Sequence, residues 1–362
     1  MRTALAVAIL AVASSTALAC TVCFPYPKAT GVDYLDDAGV VVLARENPAK
    51  RFSFLAKQVL KGALAVPEVD LFLNSSDRRK LTVDPGRAAV LVHGRFHEPV
   101  SPTGVTQDAP ATEDAAPAWR SLGVASLRQE TLIRDVLERL PQWNAAANGD
   151  AQRAAFFMPY LADPERAIRD LAYLEVGQAD YDLILKADRF VTSEEVQAFL
   201  NDRQYLEWHP LYILLLGVNA DEAERAYIRQ QAQTRLSLGQ TINLSAWITA
   251  YIEADGETAI DWIERTQLNL LSASGEVVVQ IFDALSVHGN RTTPVLRDRI
   301  TRSYDVALSN YPVLAGRIAK DMALWRDWTL AETVRRVRTE FADLDNASAY
   351  AIDYYLGSAE TN

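Results

Sequence analysis

The amino-acid sequence predicts an α+β fold in more than one domain, a small antiparallel β unit followed by a long all-α array. Three observations carry that prediction. The chain has 362 residues, past the size at which a single hydrophobic core usually keeps growing. Hydrophobic residues make up 49% of it, enough to fill cores and too many for a disordered chain. Their spacing also changes along the sequence, from short β-branched runs bounded by turn residues to a helical period after Leu127.

Residues 1–19 come first. Arg2 precedes the apolar run 4–13, and the segment ends on Ala17-Leu18-Ala19. That order is a secretory signal peptide with an A-x-A cleavage site. The run is shorter than the roughly 20 apolar residues a membrane span needs, and no later segment qualifies. The expectation is an exported chain without a transmembrane segment, periplasmic or extracellular. Cleavage would make Cys20 the first residue. Thr16-Ala17-Leu18-Ala19-Cys20 also resembles a bacterial lipoprotein signal, and acylation of Cys20 would add a lipid anchor to the outer membrane in place of release.

Cys20 and Cys23 are the only cysteines and form a C-x-x-C. Phe24 stands where haem attachment needs histidine. Pro25 and Pro27 prevent the helix whose N-terminus would activate a redox thiol. A zinc site would need a second pair of ligands. A local disulfide, or two terminal thiols with a structural duty, is the expectation for Cys20 and Cys23 in an oxidising compartment.

Strands are predicted next, each from apolar density ended by a turn. Val40-Val41-Val42-Leu43-Ala44 follows Asp37-Ala38-Gly39, residues 52–60 end at Lys61-Gly62, Val69-Asp70-Leu71-Phe72-Leu73 stops at Asn74, and Ala88-Ala89-Val90-Leu91-Val92 follows Asp84-Pro85-Gly86. Four such runs at regular spacing argue for a small antiparallel barrel or sandwich. The cysteine pair after the signal, then Asp37-Ala38-Gly39-Val40-Val41-Val42-Leu43-Ala44-Arg45 and Val59-Leu60-Lys61-Gly62, resemble the netrin-like module, which is also the inhibitory domain of the tissue inhibitors of metalloproteinases. The resemblance covers residues 20–100 and implies an OB-like barrel. It further implies that Cys20, through its amine and carbonyl, is the one residue that could chelate a protease zinc, although the family spaces its cysteines C-x-C.

Residues 101–127 read as a linker, Pro-, Ala- and acid-rich at first, with Trp119, Leu122 and Val124 offering a strand that returns to the barrel. Residues 128–357 read as helices. Leu132, Ile133, Val136, Leu137 and Leu140 mark one apolar face that ends at Pro141. Asp163-Pro164 suits a helix start, with Asp163 as cap and Pro164 at the first position. Thr192-Ser193-Glu194-Glu195 has the order of a capping box. The stretch from Ile213 to Ile228 is echoed by Ile248 to Ile263 at an offset of 34 to 35 residues, and a third pair begins around Val277 and Val295. That period reads as an α-solenoid. Residues 163–172, DPERAIRDLA, resemble the second half of a HEAT repeat.

Chemistry-bearing motifs are sparse. Acids exceed bases by 47 to 36, a net charge of −11, which opposes binding to nucleic acid. No G-x-S-x-G, Walker loop or G-x-G-x-x-G occurs. His93 and His97 lie four apart after a predicted strand, where they would share a face; they lack the H-E-x-x-H order of zinc proteases and read as surface or turn residues, a two-histidine metal site being the alternative. His288 ends a helix, where a cation suits the dipole. Asp221, Glu222 and Glu224 read as caps on a solvated face. Trp262, Phe282, Trp325 and Trp328 fit helix packing better than ligand stacking, and an exposed partner anchor is the alternative for Trp325 with Trp328. The sequon asparagines Asn74, Asn243, Asn290 and Asn346 read as chance. Neither a cofactor nor a metal is expected. The expectation is a non-catalytic exported protein that binds a protein partner through its helices. Alternatives are a protease inhibitor acting through Cys20 and a thiol or metal protein using Cys20 and Cys23.

Overall fold

The structure is a computed structural model that describes residues 29–96, 116–186, 190, 192–218, 220–270, 273–341 and 344–361. Residues 1–19, expected as a signal peptide, Cys20, Cys23, His97 and most of residues 101–127 lie outside the described residues. The fold is α+β, a five-stranded antiparallel sheet followed by a helical array.

Helix α1 (Gly31–Asp37) opens the described chain. Thr30 accepts from the N–H groups of Val32 and Asp33 while its own N–H donates to the Asp33 carboxylate at 2.7 Å, a closed capping box. Strands β1 (Ala38–Glu46) and β2 (Ser53–Lys61) form a hairpin, and β3 (Glu68–Asp70) adds to its outer side. Gly62, at φ +74°, ends β2 so close to Gly39 that a Cβ would collide with the Gly39 carbonyl, which explains the glycine there. Helix α2 (Ser75–Val83), capped by Asn74 through the Asp77 N–H at 2.9 Å, leads to β4 (Ala88–Gly94) and β5 (Ala118–Ala125). The spatial order is β3-β2-β1-β4-β5, so the strand expected to return after the linker does pair with β4.

Two cores explain the continuous apolar runs of β1 and β4. Val41, Leu43, Val90 and Val92 face one core, while Val42, Ala44, Ala89 and Leu91 alternate into the other, with Phe54, Val69 and Leu81. A strand covered on both faces loses the apolar-polar alternation. The first of these cores is shared with the helices.

Helix α3 (Leu127–Ala145) starts at a Ser126–Gln129 capping box and buries Leu132, Val136, Leu140 and Trp143. The helix expected to stop at Pro141 runs on through it. One more turn brings Trp143 into the core, which offsets the single backbone bond a proline removes. After α4 (Gly149–Phe157), α5 (Arg166–Gly177) begins at Glu165, not Asp163. Asp163 is drawn elsewhere. It accepts from the Glu165 N–H at 2.9 Å and pairs with Arg128 at 2.5 Å, fastening the start of α3 to the turn before α5.

Helices α6 (Tyr181–Lys186) and α7 (Ser193–Asn201) follow, α7 on the expected Thr192–Glu195 capping box. Then come α8 (His209–Gly217), α9 (Glu222–Leu238), α10 (Leu244–Asp255), α11 (Glu257–Ile263), α12 (Gly275–Gly289), α13 (Arg297–Asn310), α14 (Ala315–Trp325), α15 (Ala331–Glu340) and α16 (Asn346–Thr361). α8, α10, α12, α14 and α16 pack in succession, with α9, α11, α13 and α15 beside them. The predicted offset appears as hydrogen bonds 35 residues apart. Ser245 N donates to Gln280, Ser286 Oγ to Asp321 and Trp325 Nε1 to Asn290. Nearly every residue of α8 and α10 is buried, because α6 and α7 pack near them in addition to the flanking row. Among the described residues no helix is long and apolar enough to cross a membrane.

Candidate functional site

The sequence-predicted pair Cys20 and Cys23 lies outside the described residues. His93 sits half-buried on β4 opposite Trp119 of β5, their ring centroids 5.0 Å apart. Among the described residues no group of three or more histidine, cysteine or acidic side chains is placed to hold a metal.

The acidic expectation changes once side chains are placed. Glu224 closes a capping box with Asp221 at the start of α9, yet it is only 7% exposed and accepts from the Ser193 hydroxyl of α7. It is an inter-helix fastener and not part of a solvated face. Trp325 is buried too. It stacks on Tyr304 at 5.5 Å, and Gly289 packs so close to its ring that no Cβ fits there. Its Nε1–H donates to Asn290 at 2.7 Å, so the sequon residue Asn290 is part of the core network. Trp328 is half-buried against Tyr355. Trp325 thus joins α14 to α12 and α13 and Trp328 packs on α16, the helix-packing reading, and they do not form an exposed anchor.

His288 was expected as a cation at a helix end. Its ring is instead sealed between α10 and α12, where burial pushes its pKa down to about 4 and keeps it neutral. Nε2–H donates to the Thr249 carbonyl at 3.0 Å, and Nδ1 faces Glu253 at 3.8 Å without a hydrogen bond. Burial raises the Glu253 carboxyl. Tyr181 of α6 and Arg291 reach the same Glu253 oxygen, each at 3.4 Å. Asp321 is likewise raised by burial and accepts from Tyr304 at 2.7 Å and Ser286 at 3.0 Å. These perturbed groups are all committed to joining helices.

Two concave surfaces flank α11. On one side runs a groove of about 890 Å³ lined by Glu257, Asp261, Glu264, Asp298, Asp305 and Asp327 together with Arg299 and Arg302. Six carboxylates against two guanidinium groups make it acidic. Its floor is Arg299, 8% exposed, which donates to Asp261 at 2.8 Å, Glu264 at 2.9 Å and Ser303 at 2.7 Å. Burial alone would lower the guanidinium, but its two carboxylate partners outweigh that and hold it above its ordinary value. Glu264 begins a π-helical turn, Glu264–Leu268, which continues α11. Such turns recur at functional sites.

On the other side runs a groove of about 500 Å³, lined by Arg225, Arg229, Arg265, Tyr251, Trp262 and Gln233, with Asp255 as its one carboxylate. Arg229 and Asp255 pair through two bonds, at 2.6 and 2.9 Å. Arg225 donates to the carbonyls of Ala220 and Ala254, which end neighbouring segments. Tyr251 and Trp262 meet edge to face at 6.4 Å, Tyr251 buried and Trp262 partly buried. Arginine, tyrosine and tryptophan together are the composition of protein-binding hot spots. The sequence did not single out this face. Its residues come from α9, α10, α11 and the π turn, and each alone reads as ordinary helix surface or helix packing.

The chain matches no family model, no curated protein and no solved structure.

Proposed function

We propose that this chain is a non-catalytic, exported contact protein of the cell envelope and that its helical array binds a protein partner around α11. The observation that carries the reading is the open groove in which the partly buried Trp262, backed by the buried Tyr251, stands beside Arg225, Arg229 and Arg265. Tyrosine and tryptophan rings lose little side-chain entropy on docking, and aromatic and arginine side chains dominate interface energies. The five-stranded antiparallel sheet supports an OB-like, netrin-type reading of the first unit. The stacked helices with contacts 35 residues apart support a HEAT-like reading of the second. Both remain architectural analogies, and the functional argument rests on the groove.

The test begins with the mass of the purified chain, which should start at Cys20, free or acylated. A photo-crosslinking amino acid is then placed in living cells at Thr258 on the exposed side of α11, or at Lys57 on exposed β2. Position 258 should give a discrete protein adduct that disappears with Trp262→Ala, and position 57 should not. Adduct yields equal at both positions, or insensitive to Trp262→Ala, refute the reading.

A further inference from the structure

The two grooves have opposite sign and share one wall. Glu257, Asp261 and Glu264 of α11 and its π turn line the acidic side, and Trp262 and Arg265 line the basic side. A surface with positive and negative halves set side by side is complementary to itself when turned by 180°. A two-fold interface needs this property, because whatever patch one copy presents must match the same patch on the other.

We propose that the α11 face is an isologous interface between two copies of this chain, the acidic groove of each facing the basic groove of its partner. This deepens the reading above by naming the partner as a second copy. The charge contact is made twice, once on each side of the symmetry axis. Trp262 lies beside it, partly buried, and its remaining accessible edge is aromatic area that can be covered as the copies meet. The chain as a whole repels its copy, with a net charge of −11. Docking in other orientations brings like charges together, so the paired grooves also set the register.

Charge exchange tests the geometry. Arg265 and Asp298 are exposed, one in each groove, so Arg265→Glu and Asp298→Lys leave the packed core untouched. In sedimentation of the full mature chain the wild type should be a dimer, and each single variant should dissociate at least about tenfold more readily. An equimolar mixture of the two variants should dimerise again. The carboxylate introduced at position 265 of one chain then meets the ammonium introduced at position 298 of the other, while the second contact is unaltered. Circular dichroism of each variant should match the wild type.

A wild type that stays monomeric, single variants that remain dimers, or a mixture that fails to recover would each overturn the proposal. The crosslink from position 258 separates this failure from that of the contact reading. An adduct of twice the chain mass reports a second copy. An adduct of any other mass, with a monomeric wild type, leaves a contact face whose occupant is a different protein and overturns the dimer alone.

Discussion

His288 donates one ring N–H to the Thr249 carbonyl and turns its bare Nδ1 toward Glu253, with Tyr181, Asp182 and Arg291 completing the charged surroundings. An unfolded imidazole titrates near 6.5, and this one titrates at about 4. Between those values the unfolded chain takes up a proton that the folded chain refuses. The stabilisation is therefore complete above pH 6.5 and is lost as pH falls toward 4, by about 3 kcal/mol in all. Glu253 acts in the opposite sense, since its raised pKa favours the folded state in acid. His288→Gln keeps an N–H for Thr249 and removes the titrating ring. Denaturant unfolding of the wild type should thus lose about 3 kcal/mol more between pH 6.5 and 4 than unfolding of the variant. Parallel pH profiles would show that the ring is not held neutral. The position of His288 at a helix end was legible in the sequence. Its burial was not, because that depends on α6, which lies about a hundred residues earlier.

At the scale of elements, the strands were legible because β1 and β4 are covered on both faces and so leave unbroken apolar runs. The caps of α7 and α9 were legible because a capping box is a local pattern of four residues. Helices α1 and α2, of 7 and 9 residues, went unread. Two turns are too short to establish a period, and only the Thr30–Asp33 and Asn74–Asp77 spacings announced them. The start of α5 was misplaced because a tertiary pair, Arg128–Asp163, took the residue that would have capped it. A related clasp joins α1, α4 and α5. Arg153 donates to Glu175 at 2.5 Å, to Thr30 at 2.9 Å and to Asp33 at 2.8 Å. These carboxylates outweigh burial and hold Arg153 firmly protonated, well above its ordinary value. The Glu175 side chain is 2% exposed and burial already raises its carboxyl, so removing Arg153 leaves it buried without its main partner. Arg153→Met alone should cost roughly 3–5 kcal/mol in chemical denaturation, whereas Arg153→Met with Glu175→Leu should recover most of it. A double variant as unstable as the single would mean that the clasp acts through shape and not through charge.

At the scale of the molecule, the grooves around α11 were illegible because four helices must be stacked before their surface residues meet. The division into a sheet and a helical array was legible from the change of period, but a sequence pattern does not show what the sheet's inner face rests on. Leu43 and Val90 of the sheet belong to the same buried cluster as Leu132 and Val136 of α3, and that cluster continues through α8, α10 and α12 to Tyr355 of α16. Neither part can expose its side of this cluster without stranding apolar surface in water, at about 25 cal/mol per Å². The sheet and the helices nearest it should therefore unfold together. Fluorescence reporting tryptophan burial and far-ultraviolet circular dichroism reporting helices should trace one coincident denaturation curve. Leu43→Ala, a sheet substitution costing about 2–5 kcal/mol, should shift the helical signal as far as the fluorescence. Two separated transitions, with the helical one indifferent to Leu43→Ala, would mean that the array stands without the sheet. The shared core would then be a docking surface between independent domains.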